Sequence, residues 1–173
     1  MKKFMWLPLV AFMLSAVAFV VDEWKTVALS SEISVKLPAG FEKQGNEQQE
    51  VYIAKAKDSA TFTAMNINFG NFGLDEATLQ SMVDTDMFKS QFKSGFSGNG
   101  KNEIIDEKYG KYKDKYTFYE YVSKTTTDDG KTVTGYSKTI FYKANGITLV
   151  YTTGNSKDLK DKELFFNSID IKE

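Results

Sequence analysis

The chain has 173 residues, enough for one domain, a formal charge of −1, and 22 basic side chains that are all lysine. It contains neither cysteine nor histidine, which excludes the usual zinc, haem and blue-copper sites, the Ser-His-Asp triad and a thiolate nucleophile. Without arginine it also lacks the bidentate fork that grips phosphate or carboxylate.

The first residues read as a secretory signal. Lys2-Lys3 is the positive region, 4–14 the apolar region, and Ala16-Val17-Ala18 a small-x-small cleavage site that predicts a mature start at Phe19. An uncleaved anchor is the competing reading, because 4–21 is nearly apolar. Pro8 and the alanine motif favour cleavage. No cysteine follows the apolar region, so a lipid-anchored form is not expected. Without Lys2 and Lys3 the chain carries 20 lysines against 23 acids, a balance that argues against a nucleic-acid partner. The expected organisation is a signal peptide at 1–18 and one domain at 19–173, periplasmic or extracellular after cleavage near Ala18.

Two short strands are predicted at 24–29 and 33–37, the second alternating Ile33, Val35 and Leu37 with Ser34 and Lys36. Pro38-Ala39-Gly40 ends it and Phe41 packs back on the sheet. Residues 45–49 read as a polar loop. A hairpin follows, 51–56 with 61–69, turning at 57–59. From 75 to 94 the apolar residues Leu79, Met82, Val83, Met87 and Phe88 follow helical spacing, extended by Phe92. Asp75 fits the N-cap, Leu74 and Leu79 a hydrophobic staple, and Gly95 the left-handed position closing the helix. On this reading Met82, Val83 and Met87 face the sheet.

A strand at 103–109 leads into a meander spanning 113–153. Asp129-Gly130 and Asn145-Gly146 each separate β-branched and aromatic runs, the strongest short-range hairpin signal. Two-residue turns there pair Ile140 with Tyr151, Phe141 with Val150, Tyr119 with Ile140, and Phe118 with Phe141. One face then carries Tyr119, Ile140 and Tyr151, the other Phe118, Phe141 and Val150. Apolar rows on both faces imply a sheet covered on both sides. A second helix is expected at 157–168 with Asn155 as its cap, and Ile169 and Ile171 form an extended tail.

Three motifs invite a chemical reading. Residues 95–102 nearly match a phosphate loop, but Asn102 replaces the metal-binding hydroxyl, and the segment closes a helix instead of opening one. Asp128-Asp129-Gly130 lacks the spaced oxygen ligands of a calcium loop and reads as a hairpin tip. Asp84 and Asp86 are two apart and point to different sides of a helix. The lysines around Tyr109, Tyr112 and Tyr116 read as a solvated strand surface. Glu120 alone breaks the pattern: it lies between Phe118 and Val122 in an apolar run. Buried, it would be a costly carboxylate with a raised pKa and a weak functional candidate; alternatively, helix cover ends there and it reaches water.

The order ββββ-α-ββββ-α resembles the PsbP/Mog/DcrB superfamily. The opening Ile33-Ser-Val-Lys-Leu-Pro38-Ala-Gly40-Phe41 is similar to that family's strand-proline-glycine-aromatic start, and Leu164-Phe-Phe-Asn-Ser-Ile169 to its close. The resemblance implies an accessory or binding role and carries over no functional residue. The expected fold class is α+β: a single-domain α/β/α sandwich with a mostly antiparallel sheet of about six to eight strands and helices near 75–94 and 157–168. A lipocalin-like barrel is the alternative, disfavoured by a helix in the middle of the strand order. The expected function is an exported, non-catalytic binding or accessory protein of the bacterial cell envelope with a protein partner there. No catalytic residue, cofactor or metal site is expected. A carrier of a small hydrophobic ligand or lipid is one alternative, and a carboxylate-dependent hydrolase is another.

Overall fold

A computed structural model describes residues 23–46, 49–56, 59–97, 102–127, 130–154 and 159–172. The expected leader at 1–18, the turn residues Lys57, Asp58, Asp128 and Asp129, and the cap Asn155 lie outside them. The described strands in chain order are β1 (Trp24–Ala28), β2 (Ile33–Pro38), β3 (Glu42–Asn46), β4 (Gln49–Lys55), β5 (Thr61–Asn68), β6 (Asn102–Tyr112), β7 (Tyr116–Thr126), β8 (Thr132–Tyr142), β9 (Asn145–Thr153) and β10 (Asp170–Ile171). The helices are α1 (Glu76–Met82), α2 (Asp86–Ser97) and α3 (Lys160–Phe166), with a 3₁₀ turn at Phe69–Phe72. The fold is α+β with antiparallel pairing throughout. Seven strands form the main sheet in the order β3-β4-β5-β9-β8-β7-β6, and β1-β2-β10 form a smaller one.

The alternating strands give the main sheet two distinct faces. On the sheet-packed face, Phe62, Ala64, Ile140, Ile147, Leu149 and Tyr151 meet Val35 and Leu37 of β2 and Phe165 of α3. Phe62 sits at the centre, 5.1 Å from Tyr151 and 5.4 Å from both Trp24 and Phe165. The C-terminal tail is pinned here: the Tyr112 hydroxyl donates to the Ile169 carbonyl at 2.8 Å, and β10 pairs with β2. On the helix-packed face, Leu79 and Val83 cover Phe141, Tyr119 and Tyr121, with Phe88, Phe92 and Phe96 of α2 beside them.

The meander differs from expectation in two ways. The β8–β9 turn is Lys143-Ala144, not Asn145-Gly146, so Tyr142 pairs with Asn145 and Ile140 with Ile147. Lys143 takes the left-handed region at φ 52°, and its ammonium holds both oxygens of Glu32 at 2.7 and 2.8 Å. Gly146 stays within the strand because a Cβ there would lie 2.8 Å from the Phe69 ring. This shift is even, so the faces of β8 and β9 survive it. At β7–β8 the slip is a single residue: Phe118 pairs with Ile140 and Tyr119 with Thr139. Gly130, at φ 78°, closes a longer loop in which its amide donates to Thr127 O at 2.8 Å. An odd shift exchanges faces. Phe118 therefore joins Ile140 and Tyr151, while Tyr119 joins Phe141.

The helix expected at 75–94 is two helices. Asp75 caps α1 as expected, accepting from Thr78 N at 2.8 Å. The chain then turns at 83–85. The Thr85 amide and hydroxyl both bond the Met82 carbonyl, at 2.9 and 2.7 Å, and the Tyr119 hydroxyl donates to the Val83 carbonyl. The break resets the helical phase. Phe88, Phe92 and Phe96, four residues apart, take the inward positions, and Met87 is 63% exposed instead of facing the sheet. Gly95 lies inside α2, which runs to Ser97. The expected loop at 45–49 contains the end of β3, an edge strand polar enough to face water. Gly45 is obligatory there: at φ 106°, a Cβ would meet Gln49 O at 2.1 Å. At β6, the opposite edge, the register shifts between Ile104 and Asp106, a β-bulge.

Candidate functional site

Glu120 lies on β7 between Lys108 of β6 and Lys138 of β8 in the cross-strand pairing. Its carboxylate is 3.0 Å from the Lys138 ammonium, with side-chain exposures of 27% for Glu120 and 13% for Lys138. Lys138 also stands 5.1 Å from the Phe118 ring centre, and Lys108 5.6 Å from it. Glu120 is therefore neither sealed in the core nor free in water. Thr139 pairs with Tyr119 and points to the opposite face. A carboxylate held by the Lys138 ammonium beside an aromatic ring is a stabilised ion pair.

The other residues named from sequence disperse. Asp84 leaves the helical array and binds the sheet: it accepts from Thr117 at 2.8 Å and from Lys111 at 2.9 Å. The Lys111 hydrogen bond lowers its pKa below the ordinary aspartate value, and Thr117 assists. Asp86 is exposed, 3.9 Å from Lys89. In the phosphate-loop-like stretch, Gly95 is helical and Asn102 opens β6, whereas 98–101 lie outside the described residues, as do Asp128 and Asp129. Tyr116 is buried edge-to-face against Tyr142, and the Lys89 ammonium lies 5.6 Å from the centre of the Tyr109 ring. No group of three or more acids able to hold a metal is present among the described residues.

The feature that sequence reasoning missed is a cleft of about 400 Å³ on the helix-packed face, beyond the C-terminal end of α2. Its floor comes from successive cross-strand rows. One row runs Tyr121–Ser137–Val150 and the next Ser123–Gly135–Thr152, with Val133 beside Thr125 beyond. Phe96, from the last turn of α2, and Ile104 and Asn102 of β6 form the walls. Gly135 is the middle of that row, and a Cβ there would lie 3.0 Å from the Ser123 hydroxyl oxygen, which leans over it. No charged residue is among the described residues of the lining.

The polar groups of the cleft divide into two sets. The Asn102 amide donates to Phe96 O at 3.0 Å and its oxygen accepts from Thr125, while Thr127 donates to Lys131 O at 2.9 Å. The hydroxyls of Ser123, Ser137 and Thr152 make no side-chain hydrogen bond to the described residues. Ser137 is only 7% exposed, and what it faces is the cleft. The neighbouring Tyr121 is also buried. Its hydroxyl is close enough to Tyr109 to feel it but completes no hydrogen bond of ordinary geometry, and burial drives its pKa upward. The sequence signal for this site was weak. The run of Ser and Thr at alternate positions of β7, β8 and β9 reads as an ordinary solvated strand face until Phe96 roofs it.

No protein-family model matches the chain, and no curated protein matches its sequence. Solved structures do resemble it. Cyanobacterial PsbP (CyanoP) from Synechocystis sp. PCC 6803 superposes with a TM-score of 0.54 at 9% identity, over 89% of this chain and 95% of that one. A Pseudomonas aeruginosa protein of unknown function, PA94, gives 0.44 at 10% identity over 82% of this chain and 89% of its own. A Bacteroides thetaiotaomicron protein gives 0.49 at 9% identity; the match covers 88% of this chain and 50% of that one. At these identities the likeness to CyanoP concerns the fold alone.

Proposed function

We propose that this chain, which shares its fold with cyanobacterial PsbP, is an exported, non-catalytic binding or accessory protein of the bacterial cell envelope. The observation that carries the reading is the chemistry of its cleft. A hollow lined by hydroxyls, aromatic rings and aliphatic side chains, with no acid or amine among its described residues, is suited to holding a molecule and not to moving a proton. Export rests on the Lys2-Lys3, apolar and Ala16-Val17-Ala18 series. Membership of the PsbP/Mog/DcrB superfamily is part of the same proposal, supported by the shared fold and by the Ile33–Phe41 opening that forms β2 and its turn. Carriage of a small ligand is the second reading, and the cleft favours it. A carboxylate-dependent hydrolase is disfavoured by Glu120 and Asp84, each paired with lysine.

Cross-linking in the native envelope, followed by mass spectrometry, tests the proposal. A reproducible protein partner together with an N-terminus at Phe19 is the expected result. An intact Met1 in the membrane fraction would replace export by anchoring, and polysaccharide turnover in a hydrolase screen would overturn the non-catalytic reading.

A further inference from the structure

Three observations about the cleft converge on the chemistry of an occupant. The first is the set of hydroxyls left without protein partners. Ser123 and Thr152 flank Gly135 on either side in one row, and Ser137 lies one row nearer the helices. Adjacent strands are about 4.8 Å apart, so Ser123 and Thr152 stand roughly 10 Å from each other across the hollow. Buried polar groups are satisfied as a rule, and a hydroxyl both donates and accepts. Ser137, nine-tenths buried and facing the cleft, has only water or a ligand to bond.

The second is the absence of charge among the described residues of the lining. An ion entering this hollow would surrender water and gain no counter-charge from those residues, which is costly. The third is shape. Gly135 adds no side chain to the floor, over which the Ser123 hydroxyl leans to 3.0 Å from where a Cβ would stand, and the Phe96 and Tyr121 rings, 5.5 Å apart, stand at one wall. Two rings beside a floor of small side chains admit a planar molecule, and aromatic edges and faces give such a molecule directional contacts. The volume is near the lower end for small-molecule sites, which fits one or two fused rings and not a long acyl chain.

We propose that the Gly135 cleft is a binding site for a small, uncharged, flat-ringed molecule bearing hydroxyl or carbonyl groups at its edge. The proposal deepens the binding-protein reading and rests on it. Phe96 and Tyr121 supply the apolar contact, Ser123, Ser137 and Thr152 select for edge polar groups, and Gly135 sets the depth.

The test uses protein purified after export from its full-length gene. It is titrated with 2,6-dihydroxynaphthalene and, separately, with the anionic naphthalene-2-carboxylate, by calorimetry and by backbone amide NMR. The diol should bind saturably, with shifts centred on Gly135, Ser137 and Thr152, and the carboxylate should bind at least about tenfold more weakly. Gly135→Val, whose Cβ would press on the Ser123 hydroxyl and crowd the floor, should weaken the diol by about tenfold or more. Ser137→Ala removes a hydroxyl that supports no other group, so it should leave the thermal midpoint unchanged and weaken binding about fivefold. If Gly135→Val does not fold, the Ser137→Ala result decides. No saturable shift, shifts centred elsewhere, equal binding of the carboxylate, or unchanged affinity in Ser137→Ala would each overturn the proposal. A captured envelope partner with no diol binding would sink this site and leave the accessory reading standing; diol binding with no partner would do the reverse.

Discussion

On one face the main sheet meets β1, β2, β10 and α3, and the buried side chains are aliphatic and aromatic with little polar interruption. On the other it meets two helices that cover only part of it. Phe141, Tyr119 and Tyr121 are roofed by Leu79, Val83, Phe88 and Phe92; two rows further along, the sheet carries Ser123, Gly135 and Thr152 and opens into the cleft. The two faces belong to the same strands, whose residues alternate between them, so the difference begins with the alternation. Cover by β1, β2, β10 and α3 dries the middle of that face, while Glu120 and Lys138 beyond Phe118 stay partly open to solvent. Partial cover by a helix that ends at Ser97 creates a border between a packed cluster and a solvent-accessible floor, and a cleft forms at that border.

The comparison is sharpest in the energy of a truncated ring. Phe165→Ala, on the sheet-packed face, should cost about 3–5 kcal/mol, because the side chain is completely buried and contacts Phe62. Phe92→Ala on the other face should cost less, about 2 kcal/mol, because α2 is itself partly exposed. Urea melts of both variants measure the difference, and equal losses would mean the two faces are equally sealed.

Glu120→Gln comes next. Its ion pair with Lys138 is partly open to solvent, so the loss should be under about 1 kcal/mol. A loss of several kcal/mol in the same melts would show a buried, obligatory pair and return Glu120 to the head of the site residues.

A smaller, pH-dependent effect separates the faces in acid. Lys111 and Thr117 lower the Asp84 pKa below its unfolded value. The stabilisation is therefore present above about pH 4 and is lost as pH falls through the lower, folded pKa. Asp84 ties the α1–α2 break to β6 and β7. Asp84→Asn should flatten the fall in thermal midpoint between about pH 4 and 2, while amide exchange on β2 stays as in the parent. An unaltered slope would show that Asp84 does not anchor the helices.

Met87→Lys should change least, within about 0.5 kcal/mol, because Met87 faces solvent. Unbroken helical periodicity through 75–94 predicts the opposite, a charge buried against the sheet. A large loss would restore the unbroken helix.

That pair of expectations shows what the chain discloses before folding and what it withholds. Leu79 and Val83 were correctly read as inward, since one helical phase governs both. Met87 was misread because the phase ends at Asp84, whose partners Lys111 and Thr117 come from strands far along the chain. The strands themselves were legible from their alternation, and their order gave the α+β class. Register was less so. Asn145-Gly146 carries a turn signal, but Gly146 serves a contact with Phe69, and the turn moves to Lys143, where Glu32 waits. Neither Phe69 nor Glu32 is local to that hairpin. The cleft was illegible for the same reason: Ser137 looks like a surface serine until the end of α2 sets a ring beside it.

The main sheet is open, and its two outer strands bear on how the protein behaves in a crowded compartment. An unpaired strand edge is a template for adding another chain and can seed aggregation. On β6 that edge carries Glu103, Asp106, Glu107, Lys108 and Lys111, and a bulge interrupts its ladder beside Ile104. On β3 it is short, with Glu42 and Lys43. Charge would be desolvated by a docking strand, and the bulge spoils its register. A protein built mostly of strands can thus remain dispersed at high concentration, its backbone edges guarded while its side-chain cleft stays open.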